Sequence, residues 1–323
     1  MYITPTRTGR ASVRAGPSAG SAVASLLAVI AVDVRPGPSA NVVLVTGAEP
    51  VLVDTGSASP ASLAQVHAFL GEHGLAAGDL AWVALTHFHA DHAGNAGALG
   101  VPVVAHEREA ALVNDGDPRA CDPWLGFPVP RYRVDRALRD GDRVGPLEVV
   151  ATPGQTPGHV AYWHAEERVA MTGDLLQAGD AAWVPFGGPW SAGALDRMIA
   201  SVERIAALEP RMTVPGHGPP VTDVPATVAG NLARYERFRE RPSRAVWHAV
   251  RRALVSHLMI APRDAAALAA LPWAPVAADA LELEPLAVVE RALDGLAERG
   301  VVVRDGAVYD VTVPHEPRVN AGC

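Results

Sequence analysis

Six consecutive residues, His87-Phe88-His89-Ala90-Asp91-His92, carry three imidazoles and a carboxylate, all ligand types for a borderline divalent cation such as zinc. Their spacing is i, i+2, i+4, i+5, which fits one helical face badly. A turn between a strand and a helix suits it better: His87 and His89 converge on one ion, while Asp91 and His92, carried around the bend, reach a second. Three later positions repeat the setting. His159 closes the loop Thr152-Pro153-Gly154-Gln155-Thr156-Pro157-Gly158, Asp174 ends Ala170-Met171-Thr172-Gly173, and His217 stands in Val214-Pro215-Gly216-His217-Gly218. Each lies at the end of a β-type run or on a Gly/Pro turn, where a rigid sheet holds a ligand over a cleft. A lone histidine of this kind is usually an ordinary polar or core residue; three in one setting imply a shared site, with Asp174 able to bridge two ions. Two cations roughly 3.5–4 Å apart share a water and lower its pKa from about 15.7 toward ~7, which supplies hydroxide at neutral pH without a serine or cysteine nucleophile. Asp91 is the candidate to pass a proton to the leaving group, although a carboxylate held as a ligand is a poor acid.

The elements that must position these groups alternate between strand and helix. A first strand is expected over Leu26 to Val34, and two short β-type runs, Asn41 to Thr46 and Val51 to Asp54, flank the turn Gly47-Ala48-Glu49-Pro50. Ser59-Pro60 caps a helix with Leu63, Val66, His67 and Leu70 on one face. Strand Leu80 to Thr86 leads into the histidine turn, and a short helix over Asn95 to Leu99 precedes strand Val101 to Ala105. Residues 114–130, with Trp124 and Phe127, read as a long loop of the kind that covers a site. Strands follow at Leu147 to Thr152, Val160 to His164 and Arg168 to Thr172. A helix over Ala194 to Leu208 shows the apolar stripe Leu195, Met198, Ile199, Val202, Ile205. This alternation specifies an α/β architecture.

Composition narrows the classes of function. The 323 residues are long enough for a main domain and a smaller one, and 49% hydrophobic content indicates an ordered chain. A formal net charge of -8 argues against a protein that coats nucleic acid. All 27 basic residues are arginine, so an arginine count carries little functional weight by itself. Cys121 and Cys323 are far apart and join no metal-type spacing, which fits a reducing cytoplasm. Arg7, Arg10 and Arg14 before the apolar stretch Ala22 to Val32 resemble a secretory signal. The run is shorter than the ~20 residues a bilayer requires, and no small-x-small site follows it. Residues 1–24 are therefore expected to be a flexible leader, and no membrane association is expected.

With these motifs in hand, the stretch from about 25 to 222 resembles the metallo-β-lactamase-fold hydrolase superfamily. The likeness rests on the HxHxDH motif at His87 to His92, the loop ending at His159, the TGD at Asp174, the PGHG at His217 and Asp54-Thr55-Gly56. It implies a four-layered αβ/βα sandwich with metals at one edge. Carried over residue by residue, it implies that His87, His89 and His159 hold one metal, that Asp91, His92 and His217 hold the other, and that Asp174 bridges them. Asp54 would orient a ligand. The expected cofactor is a pair of zinc ions, with iron or manganese as alternatives. Asp174 stands where some antibiotic-hydrolysing members have cysteine, so the set is closer to glyoxalase II-type thioesterases, lactonases and metallo-nucleases. Gln155 replaces a histidine of many relatives, which weakens that outer position. His89 stands where di-iron redox relatives carry an acid, which favours hydrolysis, whereas the ligands alone do not separate a mononuclear iron dioxygenase of the same fold.

The remainder is expected to form a connector helix over 223–241 and a winged-helix-like domain over 242–323. The latter consists of helices at Ser243 to His257, Arg263 to Leu271 and Glu284 to Arg299, then a hairpin turning at Asp305-Gly306. The arrangement resembles the β-lactamase-like protein 2 group, some of whose members cut single-stranded RNA. Seven arginines between Arg234 and Arg252, with Tyr235, Phe238 and Trp247 among them, permit a nucleic-acid groove; in an acidic chain that uses no lysine, a solvated helix face is preferred. The domain would shape the cleft or mediate homodimer contacts. The sequence thus points to a dinuclear metal-dependent hydrolase of a small-molecule ester, thioester or lactone, with a metal-dependent endoribonuclease as the alternative.

Overall fold

The computed structural model describes residues 27–31, 40–121, 130–188 and 190–312. The expected leader, the loop residues Trp124 and Phe127, and Cys323 lie outside the described residues.

Two sheets dominate. The first runs in sequence order through β1 (Leu27–Ala31), β2 (Asn41–Val45), β3 (Val51–Val53), β4 (Trp82–Ala84), β5 (Val103–His106) and β6 (Arg136–Leu138). β1, β2 and β3 pair antiparallel, whereas β3 to β6 pair parallel. Parallel neighbours need crossovers, supplied here by α1 (Pro60–Glu72), the one-turn α2 (Ala90–Ala93) and α3 (Glu107–Asn114). The second sheet comprises β7 (Arg143–Val144), β8 (Leu147–Ala151), β9 (Val160–His164), β10 (Val169–Gly173) and β11 (Met212–Pro215), in the order β11-β10-β9-β8-β7. Its one parallel pair, β10 with β11, is joined by α4 (Ala194–Ala207).

The period-2 alternation of the strands explains the layering. In β2, Val43 and Val45 join Val51, Val53, Val149, Val160, Tyr162 and Met171 in a core between the sheets. Val42 and Leu44, on the opposite face, pack with Val66, Phe69 and Leu70 of α1. On the far side, Val150, Ala161 and Ala170 face Met198, Val202 and Ile205 of α4, together with Tyr235 and Phe238 of α5 (Val224–Glu240). The result is the expected helix-sheet-sheet-helix sandwich.

Several local expectations change. His67 is exposed, and the buried stripe of α1 runs through Val66, Phe69 and Leu70. The segment Asn95 to Leu99 is a series of turns rather than a helix, because the helical turn is spent earlier, inside the histidine motif. After α5 come four helices where three were expected: α6 (Pro242–Ile260), α7 (Ala265–Ala269), α8 (Trp273–Leu281) and α9 (Pro285–Ala297). The expected hairpin, β13 (Val302–Asp305) with β14 (Val308–Val311), is extended to three strands by β12 (Arg263–Asp264). Val250, Leu254, Trp273, Val289, Leu293 and Tyr309 form its separate core. No helix among the described residues is long and apolar enough to cross a membrane.

Candidate metal centre

The ligand-type residues gather where the strands of both sheets end. β3 delivers Asp54, a non-glycine residue in the left-handed region (φ 58). Asp54 Oδ1 accepts the Thr86 backbone N–H at 2.8 Å, and Oδ2 accepts the Thr86 hydroxyl at 2.8 Å and lies 2.8 Å from His92 Nδ1. One carboxylate thus ties the end of β4 to the turn beyond it. It also engages Nδ1 of His92, leaving Nε2 directed into the site. The turn closes on the His89 carbonyl, which accepts from the N–H groups of His92 and Ala93 at 3.0 and 2.9 Å. This is the expected strand-to-helix turn, and Asp54 has the orienting contact expected of it.

The second sheet completes the cluster. Thr152 Oγ1 lies 2.8 Å from His159 Nδ1, fixing that ring from behind. Asp174, following β10, has Oδ1 at 3.2 Å from His92 Nε2 and 3.1 Å from His217 Nε2. Asp91 Oδ2 lies 3.2 Å from His217 Nε2. Two compact groups result: His87, His89 and Asp174, and Asp91, His92 and His217, each with donor atoms within 4.8 Å of one another. The His159 ring centroid is 4.9 Å from that of His87, so His159 borders the first group without being one of its three tightest members. All seven expected residues come together.

Three supporting residues were missed or undervalued. Gln155, read as a weakened outer position, is buried and donates from Nε2 to Asp174 Oδ2 at 2.7 Å. Glu109 is buried at 1% exposure, and its carboxylate accepts from Phe88 N (3.1 Å), Thr156 Oγ1 (2.8 Å) and Gly158 N (2.7 Å). It therefore joins the histidine motif to the loop that ends at His159. Nothing in His106-Glu107-Arg108-Glu109 separates that acid from its solvent-facing neighbour Glu107. Trp183, half-buried, lies with its ring centroid 6.2 Å from that of His89 and borders the site.

The electrostatics divide the cluster. Burial, reinforced by the neighbouring imidazoles, holds His87 well below the usual histidine range and His159 down to about 3. Both are neutral; His159 Nε2 has no partner, whereas His87 Nε2 lies 2.9 Å from His89 Nδ1. Burial opposes protonation of His92 and His217 as well, but Asp54, Asp91 and Asp174 outweigh it for His92, and Asp174 and Asp91 do so for His217, which rises to about 9. The same pairing overcomes burial at Asp91, bringing it down to about 2, and holds Asp174 well below the carboxylate range.

The donor set fits a divalent cation. Buried polar atoms normally find partners, yet His159 Nε2 has none, and His92 Nε2 and Asp174 Oδ1 meet only the charged groups of the cluster itself. The space beside them is kept open by missing side chains. A Cβ on Gly173 would lie 2.8 Å from His159 Nε2, and one on Gly216 would lie 2.5 Å from His92 Cε1 and 2.8 Å from Asp174 Oδ1.

Comparison with known proteins agrees. Residues 34–217, more than half of the chain, match the model of the metallo-beta-lactamase superfamily. The chain is 30% identical over 189 residues to the lactamase-like protein vrtG of Penicillium aethiopicum, covering 56% of this chain and 52% of that protein. It is 31% identical over 175 residues to a hydroxyacylglutathione hydrolase of Bdellovibrio bacteriovorus, covering 51% of this chain and 56% of the relative. The match thus spans about half the length of these relatives. Among solved structures, a metallo-beta-lactamase family protein from Thermus thermophilus superposes with a TM-score of 0.56 at 27% identity, covering 88% of this chain and 98% of that one. A second, TTHA1623 in a di-iron-bound form, gives a TM-score of 0.50 at 32% identity, over 61% of this chain and 97% of that one. The sheets, the clustered ligands and these matches agree: the chain belongs to the metallo-beta-lactamase superfamily.

Proposed function

We propose that the protein is a metal-dependent hydrolase with two divalent ions, zinc in the first instance, that cleaves an ester, thioester or lactone of a small molecule. The observation that carries this reading is Asp174 Oδ1. It is buried and lies within 3.2 Å of two imidazole nitrogens, at the seam between the two ligand groups. His87, His89 and His159 would hold one ion and Asp91, His92 and His217 the other, with Asp174 shared. When bound, such a pair lowers the pKa of a water and polarises an acyl oxygen. The protein's own groups do the rest. His87 and His159 are kept neutral, Asp54 orients the His92 ring through Nδ1, and Gln155 holds one oxygen of Asp174 so that the other faces the seam. Asp91, at the more open side and kept ionised by His92 and His217, would first accept a proton from the attacking water and then pass it to the leaving group. Trp183 borders the space for an acyl chain. The matched hydroxyacylglutathione hydrolase of Bdellovibrio bacteriovorus bears a thioesterase-type name, which supports this class. The two distant cysteines support a cytoplasmic setting.

A purified-protein panel of thioesters, lactones, β-lactams and single-stranded RNA, with a chelator control and elemental analysis, tests the proposal. Chelator-sensitive turnover of a thioester or lactone with two equivalents of metal is expected; cleavage of RNA alone would replace the reading. For Asp91, Asp91→Asn should slow turnover per bound metal pair, with metal content measured on the same sample. Undiminished turnover with both metals bound would remove its proton-transfer role.

A further inference from the structure

Away from the metal centre, α5, α6 and α9 enclose a cavity of about 400 Å³, within the range of small-molecule sites. Arg234 of α5, Arg244 and Arg251 of α6 and Arg291 of α9 line it, with Trp247 and His248. Positions 244, 247, 248 and 251 recur at helical spacing, so α6 turns one continuous stripe toward the cavity. Helices on either side add a guanidinium each. No carboxylate lines this cavity among the described residues. The neighbouring counter-charge, Asp180, is already shared: it lies 3.7 Å from Arg234, 2.9 Å from Arg252 and 3.1 Å from His248.

A solvated helix face, the preferred sequence-based expectation for these arginines, would let the side chains diverge into water. Arg244 and Arg291 line one concavity from two helices, a different arrangement, because like charges brought together repel unless an anion joins them. The geometry at Arg291 is suited to one. Its guanidinium carbon lies 5.1 Å from the Trp247 ring centroid. Cation–π stacking occupies the face of a guanidinium and leaves its in-plane N–H edge to bind oxygen atoms in pairs.

We propose that this cavity is a binding site for a small phosphorylated polyanion, recognised through its phosphoryl oxygens by Arg244 and Arg291. Free nucleotides and phosphate-bearing thioester carriers such as coenzyme A share that chemistry. The site is independent of the proposed hydrolase activity, so its test reads binding rather than turnover.

Metal-loaded full-length protein is titrated calorimetrically with inorganic pyrophosphate, ADP and coenzyme A, and separately with a single-stranded RNA 20-mer. Saturable, one-to-one binding of pyrophosphate is expected, weakening as salt rises from 0.05 to 0.2 M. The double variant Arg244→Ala/Arg291→Ala should lose at least tenfold in affinity while keeping its metal content and melting temperature. Tighter binding of ADP identifies a free nucleotide as the source, and tighter binding of coenzyme A a thioester carrier. If the variant destabilises the protein, Arg291→Lys, which retains the charge but not the stacked planar fork, provides the second measurement and should still weaken pyrophosphate binding. Absence of pyrophosphate binding at millimolar concentration, equal binding by the variants, or binding of the RNA alone would overturn the proposal.

Discussion

The two halves of the metal centre are built from similar ligand types but prepared in opposite ways. His87 and His159 are deeply buried and neutral, with His89 beside them. Asp91, His92 and His217 form a network of carboxylates and imidazolium groups on the more open side, where the His217 and Asp91 side chains retain 16% and 12% exposure. One half therefore has no imidazole proton to release before taking a cation at His87 or His159, whereas the other must first release protons, as metal uptake by protonated ligands requires. The lesson is that ligand identity, readable in the sequence, does not fix ligand readiness. Readiness depends on which carboxylates lie within a few ångströms, and those come from distant strands.

Asp174 is the one residue both halves share, so its loss should have the largest effect. Asp174→Asn is expected to remove at least ~10²–10³-fold of turnover and to lower bound metal, as read by activity and elemental analysis on the same sample. Retention of two metals and of near-normal turnover would mean that the halves do not depend on a shared carboxylate. Gln155 touches Asp174 without reaching the opposite half, so Gln155→Ala should cost less, about 10–100-fold in metal affinity or activity, the range for groups that orient a ligand. Gln155→Glu should cost more than the alanine variant, because a second negative charge would meet Asp174 Oδ2 at hydrogen-bonding distance. The reverse order would show that Gln155 only fills space.

Chelated protein should expose the contrast through pH. His159 is lowered to about 3 in the fold against an ordinary 6.5, so the unfolded chain binds the extra proton between those values. Its contribution to stability is lost as pH falls from about 6.5 toward 3. His217 is raised to about 9, so the folded chain holds the extra proton, and its contribution is lost as pH rises from 6.5 through about 9. Melting temperatures of His159→Gln and His217→Gln should therefore approach wild type at opposite ends of the range, the first toward acid and the second toward alkali. Parallel curves would show that the two halves are electrostatically alike.

How much of this was legible follows from the same contrast. The seven ligand-type residues were readable because imidazoles and carboxylates at strand ends are uncommon and recur in one setting. The layers were expected only through resemblance, because β2, β9 and β10 are buried along their whole length and carry no polar–apolar period that would assign their faces. β6 and β7 were not readable, since Arg136-Ala137-Leu138 and Arg143-Val144 are short, arginine-bearing runs without a period. α8 was hidden by Pro275 inside an alanine-rich segment, although that proline falls in the first turn, where no intrahelical donor is needed. Asp54 was found only through resemblance. Glu109 and the role of Gln155 were not found at all, because any hydrogen-bonding side chain can serve such a purpose and only the fold selects which one does.

Glu109 gives the smallest and most specific test, because it touches no candidate ligand side chain and yet joins the loops that carry both halves. Burial outweighs its three donors and pushes the carboxyl up to about 7, against an ordinary 4.5. Glu109→Ala leaves two backbone N–H groups and a hydroxyl without their acceptor and should cost about 1–3 kcal/mol. Glu109→Gln retains an oxygen for Thr156 and Gly158 but turns a donor toward the N–H of Phe88, so it should cost less. Between pH 4.5 and 7 the folded wild type holds a proton that the unfolded chain has given up, so the contribution of Glu109 to stability falls as pH rises through that interval. The neutral amide has no such dependence, and the deficit of Glu109→Gln relative to wild type should narrow from about pH 5 to about pH 7.5 in denaturant unfolding of the metal-loaded protein. A deficit that widened instead would mean that the three donors dominate over burial and that Glu109 acts as a fixed anion between the loops.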